Sequence, residues 1–595
     1  MKRHLLLEKL FVFSILLIMG SLMSFSARKD SLTTDEGLYL PSGHYYLTEQ
    51  KANMGYEHPP LIRDIAAIPL LFLDLKPASS LITPQSLENL ENAVWNFGHR
   101  FVYEQSASAD DILWYGRAPM IVLTLVLGYF LFSWSKTLFG GTTAALTLVL
   151  YSFSPFFLAH GRYVTMDVPS ALGCLATIYV FQKFLRDPSW AHAFLSGLML
   201  GLSLLIKFPL LSLIPFLFFV NVLWILGDKR RTFASCTFAV TRFAVILLTA
   251  LGVIYFVYVF HIWNYPQAEH IADIQRTFQL TRGHAQAKLA WISKMAEYDV
   301  LRPLAHYIYG LSWQLSRTGA FGYFMGEGSF KSWASYYPFG YFAKNPTGFH
   351  LLVLLALYFT ARRGISGLRK GIHENFWVLV SLAWITYYLV ILCFVNSGNT
   401  GSRYLIPILP FLFILVGKSI SEKLGQAPLK NFSEVTAVVL CLLVFQIASV
   451  VKIHPSYLAY FNELVGGPQK GADYLVDTDA DWGQDKRRLA IWAKEKNITE
   501  LQVANGIFYQ STDGTHPQEF SFNSSDFHYY LGNIYRPYVT GVPMKGWLAV
   551  PARVLKWGQT RPAEREGWYS QTYGWLQSYE PVEKLGYSIW IYHFK

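Results

Sequence analysis

The residues best placed to do chemistry are two acids, Asp35 and Glu36, in Thr33-Thr34-Asp35-Glu36 just beyond the first apolar stretch. A carboxylate there can accept the proton of an attacking hydroxyl at a membrane surface. Two more acids follow: Glu57 in Glu57-His58-Pro59-Pro60-Leu61, and Asp167 at the end of the run that begins His160-Gly161-Arg162. Cations are expected at the same level, namely His58, Arg162, Lys207 and Arg403. Cations facing carboxylates around an interfacial cavity suit a phosphate-bearing lipid, because they hold the phosphate and stabilise the charge that builds as it leaves. Each residue also has a plainer use. Thr33-x-x-Glu36 is a capping box, and acids are favoured in a first helical turn. Asp167, followed by Val168-Pro169, also reads as a helix-start carboxylate, and Glu57 as a loop acid. Lys207, between two apolar runs, can snorkel to the interface. A shared location on one membrane face favours the chemical reading.

The elements that must position these residues are membrane helices. Hydrophobic residues make up 52% of the chain and charged residues 15%, so most of it is built for lipid. About 20 apolar residues cross a bilayer core. Stretches of that kind fall at 9–26, 118–135, 141–158, 168–185, 190–206, 209–227, 241–260, 348–361, 376–395, 404–420 and 433–451. With the N-terminus inside, every cytoplasmic segment is basic: Lys2, Arg3 and Lys9; Lys136; Lys183 and Arg186; Lys229, Arg230 and Arg231; Arg362, Arg363, Arg369 and Lys370; Lys418, Lys423 and Lys430. Retention of basic residues on the cytoplasmic side sets the orientation. The net charge of +11 then faces anionic head groups and calls for no nucleic acid. The first stretch also has the basic start and small residues of a cleavable signal peptide. Either way, the chain from residue 28 onward lies outside.

Three polar stretches then share the outer side: 28–117, 261–347 and 452–595. Leu61 to Leu75 is too short and too charged to span, and reads as an interfacial helix begun by Pro59-Pro60. The last stretch alternates short apolar runs with turns around an amphipathic segment near 485–495, as a small α/β domain does. Its Asp477-Thr478-Asp479-Ala480-Asp481-Trp482-Gly483-Gln484-Asp485 lacks the Gly spacing and terminal Glu of a calcium loop. The four cysteines, in or beside spans, suggest neither a disulfide frame nor a metal cluster. No phosphate-binding nucleotide loop is present.

In their order, these motifs resemble the GT-C-type membrane glycosyltransferases, in the group of protein O-mannosyltransferases and lipid A aminoarabinose transferases. The resemblance rests on Asp35-Glu36, Glu57-His58-Pro59-Pro60-Leu61, Ser154-Pro155 through Asp167, Leu204-Leu205-Ile206-Lys207, Lys344-Asn345-Pro346 and Arg403-Tyr404-Leu405-Ile406-Pro407. It implies Asp35 as catalytic base and Lys207 as a donor-phosphate contact. It implies Glu57 and Asp167 as metal ligands, with His58 or His160 as a further ligand. The chain has His58 where the aminoarabinose transferases have Lys, which leaves phosphate contact and a divalent metal open.

The sequence therefore predicts a mainly α, polytopic GT-C-like membrane domain over 1–451 with about eleven spans, and an extracytoplasmic α/β domain over 452–595. The predicted activity moves a sugar from a polyprenyl-phosphate-linked donor to a protein, lipid or glycan acceptor outside a bacterial inner membrane, with inversion. Asp35 and Asp167 are the expected catalytic residues. His58, Arg162, Lys207 and Arg403 are expected to hold donor phosphate, and Glu36, Tyr39 and His160 to bind substrate. A transporter or flippase of lipid-linked sugars, and a non-catalytic scaffold, are the alternatives.

Overall fold

A computed structural model describes residues 2–82, 90–227, 233–280, 285–316, 321–362, 372–395, 398–424, 434–504, 506–511, 518–521, 525–538, 544–560, 568–569 and 573–595. The basic residues Lys229, Arg230, Arg231, Arg363, Arg369, Lys370 and Lys430 lie outside the described residues.

Apolar runs become helices because lipid offers the backbone no hydrogen-bond partner, and a helix satisfies its own. Among the described residues, eight helices are long and apolar enough to cross a membrane: Leu5–Lys29, Ala109–Phe139, Asp167–Arg186, Phe208–Ile225, Val240–His261, Phe376–Val395, Ser402–Leu424 and Glu434–Lys452. The chain is an integral membrane protein. The other three expected spans are the shorter apolar helices Gly141–Ser152, Trp190–Leu204 and Thr347–Arg362. Burial separates centre from rim. Ser402–Leu424 is 78% buried and Asp167–Arg186 72%, against 22% for Glu434–Lys452. Arg403 and Asp167 thus open the two innermost helices.

Ahead of the second span, helix Glu36–Glu49 packs on helix Leu61–Ala67 and helix Leu90–Tyr103. Two glycines set how close these approach. A Cβ on Gly98 would lie 1.8 Å from the Gly37 carbonyl oxygen, and one on Gly43 2.2 Å from that of Arg63. Helix Leu61–Ala67 continues as a 3-10 turn, Ile68–Phe72. There Ile68, Leu71 and Phe72 are exposed, as an interfacial helix requires.

Beyond the last span, helix Lys486–Glu495 covers a five-stranded mixed sheet in the order Tyr535–Pro537, Leu501–Val503, Gly546–Pro551, Ile589–Phe594, Glu583–Leu585. Leu501 pairs in parallel with Trp547, and Ile591 antiparallel with Ala549. Leu489, Trp492, Leu501, Val503, Phe527, Ala549 and Ile591 form its core. Residues 457–482 pack into the main core instead, through Tyr457, Tyr460, Leu475 and Trp482. The segment between last span and sheet is therefore packed with the membrane part.

Candidate active site

Four side chains from four separate helix starts meet in one line. Asp35 precedes helix Glu36–Glu49, Asp167 begins helix Asp167–Arg186, Lys207 precedes the 3-10 turn Phe208–Ser212, and Arg403 lies in the turn Ser402–Ile408. Helix starts carry partial positive charge, so their convergence favours an anion. Arg403 Nη1 donates to Asp35 Oδ2 at 2.8 Å and to Asp167 Oδ2 at 3.3 Å. Lys207 Nζ donates to Asp167 Oδ1 at 2.7 Å and lies 4.1 Å from the Tyr404 ring centre. The line runs from open to enclosed: the Asp35 side chain is 20% exposed and that of Asp167 2%. Two polar atoms beside it, Arg403 Nε and His160 Nδ1, are buried without a hydrogen-bond partner. Buried donors and acceptors are normally satisfied, so these suit a polar ligand.

The acidic pair divides its work. Asp35 makes no capping hydrogen bond. Glu36 Oε2 accepts from Thr33 N at 3.1 Å and Thr33 Oγ1 at 2.9 Å, which is half of a capping box. It also accepts from Arg117 Nη2 at 2.6 Å, while Oε1 accepts from Arg117 Nε at 2.8 Å and Val164 N at 3.1 Å. Glu36 is fully buried and fully used, which corrects its expected place among the substrate contacts.

Arg162 also moves out of the expected set. Its guanidinium is spent on Asp30 Oδ2, the Leu158 and Ala159 carbonyls and the Tyr163 hydroxyl, and it is fully buried. His58 stays beside the line, but burial, Lys207, Arg63 and Arg403 hold its pKa well below the usual histidine range. A neutral imidazole can donate one hydrogen bond but offers phosphate no charge. His160 is likewise neutral: burial is the main cause and brings it down to about 3. Its ring lies edge-on to Trp482 at 5.9 Å. Tyr39 lies in the electrostatic field of Asp35, Glu57 and Arg403, and burial followed by the two acids keeps its hydroxyl protonated.

Glu57 faces Arg63 Nη2 at 2.7 Å and Asp167 faces two cations, so neither carboxylate is directed at a metal. Among the described residues no three His, Cys, Asp or Glu side chains converge as a ligand set. The donor set does not fit the metal site that the resemblance implied.

Residues 109–256 match the sequence pattern of the dolichyl-phosphate-mannose-protein mannosyltransferase family. The matched stretch holds Arg162, Asp167 and Lys207, whereas Asp35, Glu57 and Arg403 lie outside it. No curated protein matches the sequence. Among solved structures, the chain is similar to ArnT from Cupriavidus metallidurans bound to undecaprenyl phosphate, at 12% identity over 98% of this chain and 97% of that one, with a TM-score of 0.42. The Archaeoglobus fulgidus oligosaccharyltransferase AglB, in complex with an inhibitory peptide and a dolichol-phosphate, shares 11% identity over 96% of this chain and 72% of its own (TM-score 0.43). The S. cerevisiae protein O-mannosyltransferase Pmt1-Pmt2 complex bound to the sugar donor shares 15% over 44% and 34% (TM-score 0.30).

The site also rests on residues that sequence reasoning passed over. Arg117, in the second span, donates to the Ala27, Asp30 and Ser31 carbonyls as well as to Glu36, and so fixes the turn that presents Asp35. Asp30 takes Arg162 on one oxygen and Arg488 on the other. Burial would raise its pKa, but Arg162, Arg488 and Arg117 outweigh that and lower it. The available signal was Arg117 itself, since an arginine in an apolar run needs a buried partner. Nor was a role assigned to Asp477–Asp485. Its Trp482 ring lies 4.4 Å from the Arg403 guanidinium, and its Trp482 and Gln484 carbonyls accept from Thr34 N and Ser31 N.

Proposed function

We propose that this protein is a membrane glycosyltransferase that moves a sugar from a polyprenyl-phosphate carrier to an acceptor hydroxyl outside the cytoplasm, in one inverting step. The observation that carries the reading is the line Asp35–Arg403–Asp167–Lys207, graded from open to enclosed, with Arg403 Nε unpaired. Lys207 and Arg403 hold the phosphate, which takes up the free Nε–H. Asp35, the most open carboxylate of the line, receives the acceptor proton. The acceptor oxygen then bonds to the anomeric carbon, the bond from that carbon to the phosphate oxygen breaks, and polyprenyl phosphate leaves with both electrons. Asp167 keeps Lys207 and Arg403 in place and takes no proton. Attack on the face opposite the departing phosphate accounts for inversion. Binding of undecaprenyl phosphate and dolichol-phosphate by the similar structures named above agrees with this donor class. Alternating basic loops support an outward-facing site.

Asp35→Asn is the direct test. Loss of a general base costs about 10²–10⁴ in rate, so transfer should fall by that much while undecaprenyl phosphate still binds. Mass spectrometry of glycolipid and glycoprotein pools with and without the protein reads the product. Full transfer by Asp35→Asn would remove Asp35 from the mechanism.

A further inference from the structure

We infer that the turn between helix Ala285–Ala296 and helix Arg302–Ser316 is a membrane anchor. Tyr298, Val300 and Leu301, with Trp263 beside them, enter the lipid surface at the His261 end of span Val240–His261. The inference goes beyond the reaction proposed above and does not depend on it.

The span supplies the starting point. Only 28% of it is buried inside the protein, so most of its surface faces lipid. Phe256 and Phe260 are exposed on it, and Trp263, just past its end, is 70% exposed. These three residues share one helix face, because positions three and four apart are neighbours. The helical path reaches that far: Ile262 N donates to the Tyr258 carbonyl at 3.1 Å, and Trp263 N to the Phe260 carbonyl at 3.3 Å. The lipid-facing row therefore continues beyond the span.

The turn is tied to the end of this row. Arg302 Nη2 donates to the Ile262 carbonyl at 3.4 Å and to the Tyr265 carbonyl, which flank Trp263 in the chain. Gln267 Nε2 donates to the Ala296 carbonyl at 3.1 Å and the Glu297 carbonyl at 2.8 Å. The Tyr298 carbonyl accepts from Leu301 N and Arg302 N, both at 2.9 Å, which closes the turn. Its apolar side chains then point out of the protein: Val300 is 71% exposed, and Tyr298 and Leu301 are exposed too. The helices that carry it have a core of their own in Ile274, Ile292, Ala296, Ala305 and Tyr309.

Clustered exposed apolar side chains mark a lipid or protein contact. Continuity with the lipid face of the span decides for lipid, and the residue types agree. Trp and Tyr favour the membrane–water boundary, and Val and Leu the apolar layer beneath it. The exposed charges at the turn, Glu297 and Asp299 against Lys294, make no cationic surface for anionic head groups. Apolar burial alone holds the turn. The anchor also bears on the candidate site: His306 and Gly310, on helix Arg302–Ser316, line a cavity together with His58, Tyr258 and His261. A turn fixed in lipid holds that wall in place beside His58.

The test uses the full-length protein in phosphatidylcholine nanodiscs that contain a lipid with a diazirine near the glycerol end of its acyl chain. After irradiation, mass spectrometry maps the lipid adducts. Adducts are expected on Trp263 and on residues 298–301, at a yield comparable with that at Phe256. Val300→Asp combined with Leu301→Asp should lower the yield at the turn about tenfold or more, the factor that burial of one such apolar side chain is worth. The yield at Phe256 and the melting temperature in detergent should not change, since both replaced side chains are exposed. Added phosphatidylglycerol or high salt should leave the wild-type pattern as it is. A wild-type turn without adducts, beside a labelled Phe256, overturns the inference. So does a dimer in native mass spectrometry that the double variant dissociates, because a second copy of the chain would then cover the turn. Adducts that form only with anionic lipid overturn it as well, since head-group charge would then do the holding.

Discussion

Arg403 is the residue on which most of the site's geometry depends. One nitrogen bridges Asp35 and Asp167, the guanidinium faces the Trp482 ring, and Nε is unpaired. A lysine offers a point charge that can still reach an acid, but it has no Nε–H and no planar guanidinium to lie against the Trp482 ring. Arg403→Lys should therefore cost transfer about 10²-fold or more, as loss of one preorganised donor does, with protein yield unchanged. Assaying the variant against a range of donor concentrations checks this, and near wild-type turnover would contradict it. Glu36 predicts a different kind of failure. Removing one partner of a buried ion pair costs about 3–5 kcal/mol, because the other charge is left stranded. Arg117→Ala should thus lower the melting temperature in detergent and, because Arg117 holds the turn that presents Asp35, also lower transfer per folded molecule; thermal melting with an activity assay normalised to folded protein checks both.

At the scale of elements, the close approach of helix Glu36–Glu49 to helix Leu90–Tyr103 positions Asp35. Gly98→Ala must push the two apart, since its Cβ would overlap the Gly37 carbonyl oxygen. Both stability and transfer should fall, with a stability loss of about 1–3 kcal/mol as for other overpacked contacts. Thermal melting together with an activity assay checks it, and an unaltered protein would mean the helices part freely. The expected stretches 9–26 and 404–420 fall within helices Lys2–Lys29 and Ser402–Leu424, because lipid-facing length is written directly in composition. Strands at Leu501–Val503 and Ile589–Phe594 were legible for a similar reason, as short apolar runs between turns. Asp35, Asp167, Lys207 and Arg403 could be chosen in advance because a charge at a span's end needs a purpose. Arg162 and Glu36 looked the same in sequence. Only three-dimensional pairing shows that Asp30 and Arg117 consume them.

For the whole molecule, the joint between membrane part and C-terminal sheet is electrostatic as well as apolar. Asp526, in helix Ser525–Leu531, pairs with Lys486 and with His99 of helix Leu90–Tyr103. Burial would raise its pKa, but Lys486 and then His99 carry it below the ordinary 3.8. A depressed carboxylate contributes stability that is fully present above its unfolded value and is lost as pH falls through the folded one. The joint should therefore hold at neutral pH and weaken once pH drops below 3.8, and Asp526→Asn should weaken it already at neutral pH. Limited proteolysis across a pH series would show this, and cleavage independent of pH in the wild type would refute it. The path of the chain through this joint has a consequence for biosynthesis. Thr34 is hydrogen-bonded to the carbonyl of Trp482, and Arg403 stacks on that same ring. The parts of the site made first thus wait for a segment made some 450 residues later. A ribosome still translating the last membrane helix carries a chain with Asp35 but without its finished surroundings. Insertion into the bilayer and completion of the candidate site are separate events, ordered by translation itself.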